Sequence, residues 1–423
     1  MFLLNLISRR GTSCALTKKD SGFSLQRFFA SNAVYAFFNV SMLVVVLIPY
    51  LRSKNFDPLQ LSTISSVKEV STFFFMYLGG ILFDKVGPRK AFLVGRVMDM
   101  LALCLVLSGN LYVVLLSMVV CGAGYGVTYG KYTSYIYNVL SMKGKLNVYA
   151  RFSAGFYFVW DIAITFMGFV STLLLKNHSY DFLIYVSIGL KFLAIISILI
   201  LIPKNNDKNY DFQQFKSESV KEIFSIVMTC AKKNLLFVYL IVFYGLLQFI
   251  TWDLAVKVGD FAFLDLGWTP QGMAKYATYL SALMAVGTFV PMLFFPNGIS
   301  LKKSVVLTLV EAVLFLMASI FYNDKMLLVS FVLLCATFTT FEVSVEKNFE
   351  KVSNKKIRGT AISVSISIGT ILTVITTMLV GILAKYFNYH IGFIAVGVLM
   401  VLMCGWLCVK IYKHDTFDRD NLA

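Results

Sequence analysis

Histidine, cysteine and proline are scarce in this 423-residue chain, at three, seven and seven residues. His178, His390 and His414 fall in predicted loops or the tail and form no cluster. The cysteines are scattered and mostly sit inside apolar runs, at Cys104, Cys121, Cys335, Cys404 and Cys408. Their spacing suggests neither a metal site nor a disulfide framework. Charge is also sparse, at 14%. No catalytic constellation emerges, and an enzyme, a cofactor and a bound metal are not expected. Acid is the scarcer sign, with 22 Asp and Glu against 38 Lys and Arg and a net charge of +16. A surplus of that size can mark a nucleic-acid binder. Here the bases collect in alternate loops, a membrane-topology pattern, so nucleic acid is not an expected partner.

What the chain has in abundance is apolar surface. It is 58% hydrophobic, with mean hydropathy +0.77. Soluble domains are less apolar and more charged. Runs of about 20 apolar residues match a bilayer core of ~30 Å. The pattern predicts twelve transmembrane helices, over 28–51, 59–83, 90–109, 111–138, 146–175, 181–203, 234–257, 271–295, 302–322, 326–345, 359–385 and 388–411. The Lys and Arg residues divide unevenly between the loops. Six lie in one set (Arg52, Lys54, Lys176, Lys257, Lys325, Lys385), five lie within spans (Lys68, Arg96, Lys131, Lys191, Lys275), and the other 27 lie in the opposite set. That bias predicts both termini in the cytoplasm.

The chain then divides into a cytoplasmic tail (1–27), a six-helix half (28–203), a polar central cytoplasmic loop (204–233), a second six-helix half (234–411) and a second tail (412–423). The basic first tail could also be read as a mitochondrial presequence. The expected setting is a bacterial cytoplasmic (inner) membrane, and the expected state is a monomer in lipid.

Between the second and third spans runs Gly80-Ile81-Leu82-Phe83-Asp84-Lys85-Val86-Gly87-Pro88-Arg89-Lys90. Asp84 is at the C-terminal end of an apolar helix, where the dipole disfavours a carboxylate without positive partners. Lys85, Arg89, Lys90 or another helix N-terminus could supply them. A bond present in one conformation only would make a gate. The plainer reading is a basic turn that sets topology.

This stretch resembles the loop between the second and third helices of the major facilitator superfamily, G-x-L-x-D-[RK]-x-G-x-[RK]-[RK]. Pro88 departs from it, since many members have Arg there. The resemblance implies an all-α integral membrane carrier of two six-helix halves, working by alternating access. It implies gating roles for Gly80, Asp84, Lys85, Gly87, Arg89 and Lys90. Arg358-Gly359 resembles the start of the superfamily's eleventh helix, which implies that Asp84 meets Gly359 and Thr360 in the outward-open state. The matching loop of the second half, Phe294 to Lys303, keeps a Gly and a Lys pair but lacks the Asp.

The fourth span carries Gly122, Gly124, Gly126 and Gly130. A phosphate-binding loop would need a preceding strand and a polar turn, and neither is present. Gly122, Gly126 and Gly130 recur every four residues and make a smooth face for close helix packing. The Tyr-rich run from Tyr129 to Leu140, followed by Tyr149-Ala150-Arg151, resembles the fourth-to-fifth helix region of some drug-type facilitators, from whose acidic versions Lys131 and Asn138 depart. Two features of proton-driven drug exporters are missing: Met118 stands in place of an Arg, and Gly155 to Ile162 contains no Pro.

Ionisable residues inside spans are costly, about 2.5–3.5 kcal/mol each on insertion scales, so they face protein, a partner or water. Asp161, mid-span beside Trp160, reads as a proton carrier or as a structural hydrogen bond. Lys68 and Glu69 are adjacent and diverge by about 100°, so they are not expected to pair with each other. Glu69 could bind a proton and Lys68 an anionic group. Arg96 and Asp99, three apart, can pair along one face. With Lys191 and Glu311 they are assigned to structure, and Asp99 and Glu311 occupy nearly matching places in the two halves. Asp253, with Gln248 and Trp252, could bind, gate or be a solvated helix end. Glu342 is left open and Glu346 is read as solvated. Asn32, Tyr35 and Asn39 share one face of the first span and read as substrate contact or packing between the halves.

The expected function is secondary active transport of a small organic solute, proton-coupled, with a lean to efflux of an amphipathic compound. Proton-symport uptake of an amino acid or nucleoside is the alternative. A non-transporting receptor on a carrier scaffold is the third reading. Coupling candidates are Asp161, Glu69 and Asp253. Substrate-cavity candidates are Asn32, Tyr35, Asn39, Lys68, Tyr129, Lys131, Trp160, Gln248 and Trp252.

Overall fold

The computed structural model describes residues 24–128, 131–145, 148–202, 229, 232, 234–294, 299–352 and 358–420. The first tail up to residue 23, nearly all of the central loop, Tyr129 and the last three residues lie outside them.

Among the described residues the chain is helical, without strands. The helices of the first part are α1 (Leu25–Asn39), α2 (Leu43–Ser53), α3 (Pro58–Val86), α4 (Pro88–Val106), α5 (Leu111–Thr128), α6 (Lys131–Met142), α7 (Tyr149–Leu174) and α8 (Tyr180–Leu201). After the central loop come α9 (Leu235–Gln248), a π-helical segment (Phe249–Val258), α10 (Gly259–Asp265), α11 (Pro270–Phe294), α12 (Leu301–Phe321), α13 (Asp324–Val352), α14 (Arg358–Tyr386) and α15 (Tyr389–Asp420). Every predicted span meets a helix. Among the described residues, six stretches are both long and apolar enough to cross a bilayer: Leu111–Thr128, Tyr180–Leu201, Leu235–Asp265, Leu301–Phe321, Val364–Tyr386 and Tyr389–Lys413.

Two helices depart from regular geometry at related places. The first predicted span breaks after Asn39. Val40 is extended (φ −72, ψ 138), and the helix resumes at Leu43. The seventh loosens into the ten-residue π-helical segment. Such segments are short and uncommon, and they often mark functional sites.

The stretch from Gly80 to Lys90 is not the loop that the sequence suggested. Helix α3 runs on to Val86 and α4 starts at Pro88, so the turn is Gly87 alone. Its φ of 81 lies in the region that glycine enters without steric cost, and Pro88 at the first helical position needs no donor.

Contacts divide the chain into two compact units. One holds residues 24–46 and 71–202, the other residues 47–70 and 234–420. Residues 47–70 therefore group with the second unit, although the six-plus-six reading gives them to the first half. Asp57 reaches Lys385 at 3.9 Å. A Cβ on Gly381 would lie 3.2 Å from the Pro58 carbonyl and collide with the Ser62 side chain.

Glycines set the closest packing within each unit. In the first, a Cβ on Gly126 would stand 2.7 Å from the Thr72 carbonyl of α3. One on Gly124 would stand 2.7 Å from the Gly95 carbonyl of α4 and 2.8 Å from Asp99 Oδ1. So α5 uses two glycine faces, one more than the four-residue repeat suggested. In the second unit, a Cβ on Gly369 of α14 would lie 2.8 Å from the Gly245 carbonyl of α9. Backbones that approach this closely supply the van der Waals contact that holds helices together in lipid.

Candidate transport site

The first unit is organised around the end of α1. Asn39 is its last residue, and the break leaves its carbonyl without an intrahelical donor. Lys191 of α8 donates its ammonium to that carbonyl and lies 3.4 Å from Asn39 Oδ1. Arg96 of α4 donates to Asn39 Oδ1 through Nη1 and to Thr128 Oγ1 of α5 through Nη2, the latter at 2.5 Å. Asp99 closes the group, 2.6 Å from Arg96 and 3.6 Å from Lys191. Asn39, Arg96, Asp99, Thr128 and Lys191 are all buried. The expected Arg96–Asp99 pair is present. The fit of Lys191 and Asn39 around it was not legible, because nothing in the run Asn39-Val40-Ser41-Met42 breaks a helix.

The rest of the α1 polar face also turns into this unit. Tyr132 of α6 donates to Asn32 Oδ1, and Asn32 donates to the Phe28 carbonyl. Tyr35 stacks on Tyr132, with centroids 4.8 Å apart and 14° between planes. Tyr132 stacks in turn on Phe156, at 4.4 Å. Trp160 lies at the edge of this aromatic core, 6.2 Å from Phe156. Asp161, the next residue, is buried, and its backbone carbonyl accepts from Thr165 at 2.8 Å. Lys131 is half-buried at the start of α6. Tyr129, predicted to line the cavity, lies outside the described residues.

Around the Gly87 turn, Gly80, Asp84 and Lys85 have helical backbones, but their side chains are not among the described ones. Arg89 donates to the Leu199 carbonyl at 2.5 Å. It thus satisfies one of the last carbonyls of α8, as bases near helix C-termini do. Lys90 is exposed. Arg358 and Gly359 open α14, as the resemblance implied for the eleventh helix. Their side-chain positions, like those of Glu342, Glu346 and Trp252, lie outside the described ones.

In the second unit Asp253 sits within the π-helical segment and is buried, which corrects the solvated-end reading. Thr373 of α14 donates to its Oδ2. Gln248 is half-buried at the end of α9. Lys68 and Glu69 do meet, at 3.7 Å, contrary to expectation. The Lys68 stem is long enough to bend round the helix, which the angle between adjacent Cβ atoms does not capture. Glu69 is buried, and Asp260 and Glu311 are buried as well. Thr337 of α13 donates to Glu311 Oε1 at 2.7 Å, while Oε2 finds no partner among the described residues. Among those residues, the buried charges of this unit are all carboxylates.

At one end of the same unit, Tyr322 caps α12 in a left-handed conformation (φ 46) and donates to Asp265 at 3.0 Å. Burial, reinforced by the Asp265 charge, holds the Tyr322 hydroxyl well above its ordinary pKa. Its ring stacks on His390, whose Nε2 lies 2.9 Å from the Ile320 carbonyl. Asp265, Tyr322 and His390 thus meet at this end of the unit.

No curated protein matches the sequence. Solved structures do match the fold. The nucleoside transporter NupG aligns over 92% of this chain and 98% of its own, with TM-score 0.68 and 15% identity. A D-xylose–proton symporter aligns over 89% and 96%, with TM-score 0.62 and 10% identity. A bacterial homologue of the human lysosomal transporter Spinster, inward-facing and unoccupied, aligns over 92% and 98%, with TM-score 0.65 and 14% identity. The sequence profile of the Major Facilitator Superfamily matches residues 29–299, more than half of the chain. With its apolar helices and transporter fold, this chain is an integral membrane carrier, and it belongs to the major facilitator superfamily.

Proposed function

We propose that the protein moves a small organic solute across its membrane by alternating access, driven by a proton gradient, with Asp253 as the principal proton-binding group. The observation that carries this reading is a buried carboxylate in a π-helical segment, hydrogen-bonded by Thr373, in a unit whose described buried charges are all acids. A buried carboxylate inside a span is costly to keep unless it serves a function, and binding a proton is one that a carboxyl can serve. Glu69 and Asp161 are the further coupling candidates.

For the solute we favour an amphipathic compound moved outward, because the Tyr-rich run from Tyr129 to Leu140 resembles drug-type facilitators. Met118 in place of an Arg and the Pro-free Gly155 to Ile162 favour a second reading, proton-symport uptake of a nucleoside or amino acid. The likeness to NupG and to the D-xylose–proton symporter extends to fold alone, so it does not choose between them. The expected membrane is a bacterial cytoplasmic one with both termini inside, and the expected state is a monomer.

The test uses purified protein in liposomes loaded with a pH dye, with ethidium, uridine and leucine added in turn. Proton movement opposite to ethidium supports export. Movement together with uridine or leucine supports uptake. No proton movement with any of them overturns proton coupling for these solutes. For the gate, Asp84→Asn is expected to fold normally and slow turnover. Wild-type rates in a well-folded variant would remove Asp84 from that role.

A further inference from the structure

The break after Asn39 has the makings of an ion site. Freed carbonyls at the C-terminal ends of discontinuous helices are where carriers coordinate their coupling cations, because the helix dipole leaves about half a negative charge there. We propose that this break is a monovalent-cation seat that the chain fills from within, with the Lys191 ammonium as a tethered cation. Three oxygens face Lys191 Nζ: the Asn39 carbonyl, Asn39 Oδ1 at 3.4 Å and Asp99 Oδ2 at 3.6 Å. All three residues are buried.

The charge balance supports one extra cation here. Arg96 and Asp99 cancel each other at 2.6 Å. The negative end of α1 then remains, and Lys191 is the cation that meets it. Arg96 is engaged differently: its two terminal nitrogens bind Asn39 Oδ1 and Thr128, and its Nε finds no partner among the described residues. Space is limited as well. Asp99 Oδ1 abuts Gly124 so closely that a Cβ there would stand 2.8 Å away. The seat therefore takes one small cation and has it already. A tethered cation cannot cross from one side to the other, so the ion exchanged during the cycle binds elsewhere. This inference stands apart from the nature of that ion.

Removing the side chain while keeping the oxygens should expose the seat. The experiment compares wild-type protein, Lys191→Ala and Lys191→Gln, full-length and detergent-purified, by thermal melting. Each is measured at constant ionic strength in choline, sodium, potassium and methylammonium chloride. Lys191→Ala is expected to melt roughly 5–10 °C below wild type in choline, as when a buried charge loses its partner. Sodium, potassium or methylammonium should restore at least half of that loss, with the midpoint rising with the logarithm of cation concentration. Wild-type protein and Lys191→Gln, whose side chains still fill the seat, should show no such selective response.

A Lys191→Ala protein as stable as wild type in choline, or one indifferent to all three small cations, would overturn the proposal. So would an equal response in the wild type. If Lys191→Ala folds only when methylammonium is present throughout purification, the seat is supported directly. If it folds in none of the salts while Lys191→Gln matches wild-type stability, charge is not what the seat requires, and the proposal fails.

Discussion

Asp99 and Glu311 occupy corresponding places in the third span of each half, yet the two units treat them in opposite ways. Asp99 is held by two cations, Arg96 at 2.6 Å and Lys191 at 3.6 Å. Glu311 has a threonine hydroxyl on one oxygen and no partner among the described residues on the other. The first unit has spent buried charge on fixing structure at the α1 break. The second buries Glu69, Asp253, Asp260 and Glu311, and of these Glu69 meets the half-buried Lys68 at 3.7 Å. A paired acid cannot give up or take a proton without stranding its cations, whereas an acid bonded to a hydroxyl can. On the proposed function, the difference between Asp99 and Glu311 is that between a static charge cluster and an acid suited to exchange.

The largest effect expected from this contrast comes from Asp99→Asn. It leaves two buried cations without their shared anion and should cost roughly 3–5 kcal/mol, read as a drop in melting temperature. Asn39→Ala removes one acceptor, the Oδ1 bound by Arg96 and 3.4 Å from Lys191, while leaving the backbone carbonyl and the charges in place. About 1.5–3 kcal/mol is expected, from loss of a hydrogen bond to charged donors.

Gly126→Val and Gly245→Val probe whether the units differ in packing as they do in charge. Both glycines meet backbone at close range, 2.7 Å to Thr72 O for one, and the Ser365 carbonyl for the other. Each substitution should cost about 1–3 kcal/mol or more. Similar losses would confine the contrast between the units to electrostatics. Glu311→Gln should show the smallest change, below about 1 kcal/mol, since no ion pair is lost. An equal melting loss for Asp99→Asn and Glu311→Gln would break the comparison.

Most of the fold was legible because lipid leaves few choices. An apolar run in a bilayer must satisfy its own backbone, so each of the twelve runs could be read as a helix. Arg96 and Asp99 were legible too, since a three-residue spacing is enough to predict a pair on one face. What was hidden depends on contacts between distant segments. The break after Asn39 has no glycine or proline to announce it, and it is held by a lysine 152 positions away. The π-helical run from Phe249 to Val258 reads as an ordinary apolar helix. Arg89 donates to the Leu199 carbonyl, 110 positions away, an acceptor that no local pattern announces. The Lys68–Glu69 contact was missed because side-chain reach, and not the angle between Cβ atoms, decides it.

Asp253 is the proposed exchangeable group, and one comparison tests that role directly. Wild-type protein and Asp253→Asn would be placed in liposomes containing a pH dye and given ethidium, uridine and leucine under an imposed pH gradient, with radiolabelled solute followed in parallel. Solute-driven proton movement is expected in the wild type, and its loss in Asp253→Asn. Proton movement at the wild-type rate in a folded Asp253→Asn protein would contradict that role.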